Sequence, residues 1–476
     1  MRQCVGMFIC AAACAAVQLA SARAADWYVD NVKGDDATGD GSVAKPFQTI
    51  ACALKRVATS DTVSLTPNTV PYAERVDIPA GGTAEKPFIF DGRGAVINRL
   101  THYTADKWKD EGSSVYSMPL PNNAHVMDKQ WWGFDLVFFD GKAGENCASR
   151  EQLVPLGYFL FKQRAQVDGK FHPLHNTLFI KLPEGKLPAD IKIAAPGNGT
   201  GIGSGKPHVI IRNLTSMHNS GDGFDSWEAK DIVFERVRGC YNMDQGISHH
   251  GSEVTVRDSR FDHNAGCGIV DVYPAVKVRY ERCLIEDDTY RGGVEFHNGE
   301  FVMEDCVIRG NPAKALSVGR DGVRATLRNC LLIGREGGKD PGIQHNEGSL
   351  TLDRCTFYRF GTALTVGKTT TKLSMSHCAF IGCGQNYVIL PSGKDAPRRD
   401  IAIDDNAYEP ASFTVDGVVY KTEQWTELQT KTGFDPHSTM GKIGDPLPPW
   451  SLPSLKGKGH DVSNIGACLD PASFRF

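Results

Sequence analysis

The sequence has no surplus of positive charge: 52 Lys and Arg stand against 56 Asp and Glu, a formal net charge of -4 over 476 residues. With no basic block to release counterions, a nucleic-acid partner held through its phosphates is not expected. Beyond the first residues no stretch approaches the ~20 apolar residues of a membrane-spanning helix, so no membrane partner is expected either. Nucleotide-binding glycine loops, paired CxxC motifs and an HExxH zinc motif are missing as well. Long helices are disfavoured, because Gly 50 and Pro 25 make about one residue in six a breaker of regular structure. What remains is a chain of short elements separated by turns, with the 41% hydrophobic and 23% charged content of a folded protein.

Residues 1–24 read as a secretory leader: Arg2 starts it, Val5 to Val17 is an apolar run, and Ala22, Arg23 and Ala24 form a small-residue cleavage site. The mature chain is expected to begin at Ala25, to be periplasmic or secreted, and to act as a monomer.

An exported chain with 14 cysteines suggests a disulfide framework, but the spacing argues otherwise. Cys283, Cys306, Cys330, Cys355 and Cys378 close the similar segments YERC, MEDC, LRNC, LDRC and MSHC, at intervals of 23, 24, 25 and 23 residues. Upstream, the same slot holds Ser259, Val237 and Leu214. A slot that accepts Cys, Ser, Val and Leu is a small inward position and not a metal ligand. A repeat of about 23 residues with short alternating runs such as VTVRDS fits one turn of a parallel β-helix, an all-β solenoid in which equivalent residues stack at about 4.8 Å. The cysteines then form an internal ladder of free thiols.

Phe47 to Val57 has helical spacing and suits a cap over the first turn. The expected organisation is a cap with the first turns over 25–99, a β-rich aromatic insertion over 100–200, the main repeats over 201–390, and closing turns with a short helix near Trp425 over 391–476. The segments WYVDNVKGDDATGDGSVAKPFQTIACAL, GGTAEKPFIFDG, DDNAYE, EQWTELQTKTGFDPHS and SNIGA resemble the capping segments of bacterial right-handed β-helix proteins related to pectate lyases and polygalacturonases. The resemblance implies the fold, and its coils carry several unrelated reactions, so function rests on outward residues.

Aligning GFDSW, GISHH, IVDVY, GVEFH and ALSVG places Phe224, Ile247, Val270, Val294 and Leu316 inward. The next position, read as outward, holds Asp225, Ser248, Asp271, Glu295 and Ser317, and two residues on stand Trp227, His250, Tyr273, His297 and Gly319. A solvated sheet face explains any one of these residues. As a group, carboxylates beside aromatic rings with no lysine suit a carbohydrate, whose C–H faces pack on rings while acids act at the glycosidic bond.

Against the polygalacturonase pattern, Asp222 and Asp244 match two acid positions, Cys267 replaces the histidine, and Glu295 and His297 occupy the places of an Arg and a Lys. Uronic-acid binding loses its expected cations there. Asp222 and Asp244 also fit as turn acids bonding backbone N–H groups. Arg320, His345 and Glu347 extend the candidate groove. Asp30, Asp35, Asp36 and Asp40 lack calcium-loop spacing.

The expected function is a glycoside hydrolase acting on a poly- or oligosaccharide. Its expected catalytic pair is Asp271 as nucleophile and Glu295 as acid/base, adjacent-turn carboxylates suited to retention. Asp225 with Asp271 is an inverting alternative. Trp227, His250, Tyr273, His297, Arg320, Asp222 and Asp244 are the binding candidates, and no metal or cofactor is expected. A polysaccharide lyase is the first rival, with Tyr273, His250 or His297 as base and calcium held by Asp225, Asp271 and Glu295. A non-catalytic glycan-binding coil is the second.

Overall fold

The computed structural model describes residues 24–120, 136–167, 170–289, 291–320, 322–392 and 399–443. The leader residues 1–23 and the SNIGA segment lie outside them. The main body is an all-β parallel solenoid of about 13 turns of roughly 24 residues. Strand Phe224–Trp227 pairs in parallel with Ile247–His250, then come Cys267–Val272, Gly292–Phe296 and Leu316–Val318, each on the next turn. A second column runs through Ile232–Cys240, Glu253–Arg257, Val276–Glu281, Gly299–Glu304 and Arg324–Arg328.

The cysteine slot owes its chemistry to a corner. The residue before it, from Asn213, Arg236 and Asp258 to Arg282, Asp305, Asn329, Arg354 and His377, has φ between 51° and 57°, a left-handed bend that turns the chain into its next strand. Asn and Asp, which tolerate that region best, fill four of these eight corners. Past the bend, Ser259 Oγ donates to the carbonyl of Arg257 at 2.7 Å, and Cys283, Cys306, Cys330, Cys355 and Cys378 direct Sγ to the carbonyl two residues back at 3.2 to 3.6 Å. All five thiols are free and fully buried.

A second internal ladder, not read from the sequence, tightens another corner. The side-chain amide of Asn219 donates to Asn242, that of Asn242 to Asn264, and that of Asn264 to Asp288, at 2.8 to 2.9 Å. The backbone N–H groups of Asn219, Asn242, Asn264 and Asp288 donate to the next rung's oxygen as well, the last to Asn311. Buried amides are stable here because neighbouring turns satisfy one another.

Between Leu100 and Pro196 the chain leaves the solenoid and builds a four-stranded and a five-stranded sheet. Tyr116, Met118, Tyr158, Leu178, Ile180 and Ile193 form their own core. This unit meets the solenoid where Phe138 packs edge-on to His218 at 4.5 Å and Gly197 exchanges backbone bonds with His218 and Ser220. Arg99 ties the same corner, donating to the carbonyls of Asn198 and Thr200 at 2.6 and 3.1 Å. The insertion therefore stands beside the turn that leads into Asp222.

The capping helix is shorter than the Phe47–Val57 reading: it spans Ile50–Leu54, with Thr49 as N-cap and the Glu74 carboxylate taking the N–H groups of Ile50 and Ala51 at 2.8 Å each. At the other end, helix Trp425–Thr432 packs Trp425 against Tyr408 and Phe413 and stops at Gly433, φ 71°. Asp30, Asp35, Asp36 and Asp40 accept backbone N–H groups within the first loops.

Candidate active site

The ladder register corrects the sequence reading at one turn. Phe224 pairs with Ile247, Ile247 with Ile269, Ile269 with Val294 and Val294 with Leu316, so the inward residue of the third strand is Ile269 and not Val270. The outward column is Gly203, Asp225, Ser248, Val270, Glu295 and Ser317. Asp271 consequently points into the coil. It is 0% exposed, in register with His249 and Phe296, and accepts from Tyr280 Oη at 2.8 Å. Burial pushes its carboxyl up to about 8, against the lowering effect of Tyr280. Neither catalytic pair built on Asp271 therefore forms, and Asp225, Asp271 and Glu295 do not share a face on which to hold calcium. Ile269 and Val270 are both apolar and both buried, so hydropathy alternation alone could not set this strand's phase.

Beneath the outward column runs Ser226, His249 and Asp271. Ser226 Oγ and His249 Nδ1 are 2.8 Å apart, while His249 Nε2 and Asp271 Oδ1 have no hydrogen-bond partner among the described residues. Burial holds His249 neutral, its pKa lowered to about 3. His345, assigned to the groove from the sequence, is likewise inward, in register with Val318 and fully buried.

On the outer face, His250 Nδ1 lies 2.9 Å from Asp225 Oδ1, and its ring is 5.3 Å from that of Tyr273. Burial pulls the imidazole down, but the hydrogen bond and charge of Asp225 outweigh it and the net shift is upward. Tyr273 follows the strand at a corner, with φ 76° and 60% exposure. A bulky residue in that region is strained, and here the strain presents its ring to solvent beside His250. Trp227 is 41% exposed on the turn before.

Glu295 stands in a cluster of cations that the sequence reading did not assemble. Arg291 lies 3.2 Å from one carboxylate oxygen, Lys314 lies 3.4 Å from the other, and His297 Nε2 is 3.8 Å away. Burial lowers the His297 pKa, and Arg320 acts on it in the same direction. Arg291 precedes its strand and Lys314 precedes the strand on the next turn, so only the register brings them together. Both cations thus stand next to Glu295 and are paired with it.

Asp222 and Asp244 lie on adjacent turns at the strand starts. Gln245 joins them, its backbone N–H donating to Asp222 Oδ1 at 3.1 Å and its side-chain amide donating to Asp244 Oδ1. Both are almost fully buried. The Cys267 thiol, pushed well up by burial, is held as a neutral packing group. Among the described residues, the three-member group able to gather on a cation is Asp404, Asp405 and His437, near the far end of the solenoid.

Residues 191–332 match the family model described as a right handed beta helix region. The fold is thus a right-handed parallel β-helix. Three solved structures share it: XylC in complex with xylose (12% identity, 88% of this chain and 86% of that chain, TM-score 0.53), a glycoside hydrolase (11%, 79% and 97%, 0.51) and pectate lyase Pel9A (12%, 94% and 96%, 0.50). No curated protein matches the chain.

Proposed function

We propose that the chain is an exported carbohydrate-active enzyme that cleaves a glycan bearing carboxylate groups, bound across the outward face from Trp227 to Arg320. The observation that carries this reading is the neighbourhood of exposed Trp227 and Tyr273 rings, the Asp225–His250 pair and the Glu295, Arg291 and Lys314 cluster on successive turns. Rings accept the apolar faces of sugars, and Arg291 offers paired donors to a substrate carboxylate. Among the solved structures of this fold, XylC in complex with xylose and pectate lyase Pel9A agree with a sugar ligand.

Hydrolysis is the reaction preferred. Asp222 and Asp244, on adjacent turns and joined through Gln245, are a carboxylate pair of the kind glycosidases use, with Arg291 two turns further along to hold the acidic sugar. The Asp225–His250 pair favours a second reading. Its Nδ1 is fixed by Asp225, leaving Nε2 as the atom to take a proton, while Arg291 and Lys314, two and three turns further along, are the cations to neutralise an acidic sugar's carboxylate; base and cations are the two components β-elimination needs. Incubation with a panel of acidic and neutral glycans decides between them. Hydrolysis yields saturated products and is abolished by Asp222→Asn or Asp244→Asn. Elimination yields unsaturated uronates by absorbance and is abolished by His250→Ala. A panel left wholly uncleaved contradicts both. Export is part of the proposal, and a secreted protein whose first residue is Ala25 is the expected result.

A further inference from the structure

The turn before Asp225 is bare on its outer side. Strand Ile202–Ser204 carries Gly203 in the outward column, and Gly205 follows two residues later. Both positions are glycine for a spatial reason: a Cβ on Gly203 would stand 2.6 Å from the Trp227 ring, and one on Gly205 would stand 2.4 Å from its Nε1. The indole therefore lies back over the preceding turn, filling the trough from above while keeping 41% of its surface exposed.

One turn further, Asp77 occupies the same outward column as Gly203 and is paired with Arg75 at 3.1 Å, both side chains about half exposed. Asp77 and Asp225 thus stand about 10 Å apart, two strand spacings, on either side of the turn that the indole covers. This makes a floor of one aromatic face, an acid on each side, and a guanidinium at the rim. Such a combination suits a pyranose ring, with its C–H face down and hydroxyls outward to carboxylates and Arg75.

We infer that Trp227, laid over Gly203 and Gly205 and bounded by Arg75, Asp77 and Asp225, is a separate sugar-binding subsite for a residue of the glycan remote from the cation cluster. It rests on the proposed glycan reading and deepens it. The subsite lies four turns, about 19 Å, from Glu295, so the ligand is an oligosaccharide of several units lying along the coil axis.

The test is binding of xylohexaose, cellohexaose and hexagalacturonate to the full chain, by titration calorimetry and saturation-transfer NMR. At least one hexamer should bind, and Trp227→Ala and Gly203→Ala, the latter displacing the indole without touching the acids, should each weaken it about tenfold, or about 1.4 kcal/mol. Asp77→Asn, a surface change that keeps the fold, should weaken it several-fold. Unchanged affinity in the folded variants overturns the subsite. Binding with no cleavage under any condition overturns the enzyme reading while the subsite stands, and no binding of any hexamer overturns both.

Discussion

Asp271 and His250 sit one turn apart, one inside the coil and one outside, and their environments push them toward opposite uses. Asp271 ordinarily titrates at 3.8, and burial raises it to about 8. Between those values the unfolded chain releases a proton that the folded chain keeps, so this group's stabilisation is full below about pH 4. It is lost as pH rises toward 8, by about 1.4 kcal/mol per unit. Urea unfolding from pH 5 to 9 should show that slope in the wild type and its loss in Asp271→Asn, and parallel profiles would contradict the burial argument. For His250, Asp225→Asn removes the bond and charge that raise its pKa, so the imidazole midpoint followed by NMR should fall. An unmoved midpoint would mean that Asp225 does not hold the ring in solution.

At the scale of the repeating corner, the two ladders make separate claims. Asn264 bonds to Asn242 on one side and Asp288 on the other, so Asn264→Ala leaves buried partners unpaired on two turns at about 1 to 3 kcal/mol each. Chemical denaturation should show the loss while Asn264→Asp, which keeps an acceptor, retains part of the stability. In the cysteine ladder, Cys283, Cys306, Cys330, Cys355 and Cys378 should react with thiol reagents only after unfolding, because all are fully buried. Rapid labelling of the folded chain would contradict the register.

These elements also show where sequence reading reaches and where it stops. The cysteine spacing revealed the period and the inward slot, because identity at one position per turn survives turns of 22 to 25 residues. The strand phase at Ile269 and Val270 did not survive, since two neighbouring apolar residues fit either phase and a slip of one residue moves Asp271 from groove to core. Arg291 and Lys314 were missed for a related reason: they precede their strands and meet Glu295 only across a turn. The asparagine ladder had a readable signal in Asn219, Asn242, Asn264 and Asn311, each about 23 residues from the next rung once Asp288 is admitted.

Along the whole molecule the outward face carries Asp77, Asp222, Asp225 and Asp244 with Arg75 on its earlier turns, and Arg291, Lys314 and Arg320 with Glu295 on its later ones. Binding of a carboxylated glycan should weaken with salt because part of its attraction to the cations is screened. The insertion flanks the earlier turns through Phe138 and His218. That this outward face cleaves glycans is tested by turnover of the cleaved glycan by Glu295→Gln, with the fold verified by thermal unfolding. Turnover should fall at least about 100-fold, because Glu295 organises Arg291, Lys314 and His297 at the substrate. Wild-type turnover in that variant would place the chemistry elsewhere on the coil.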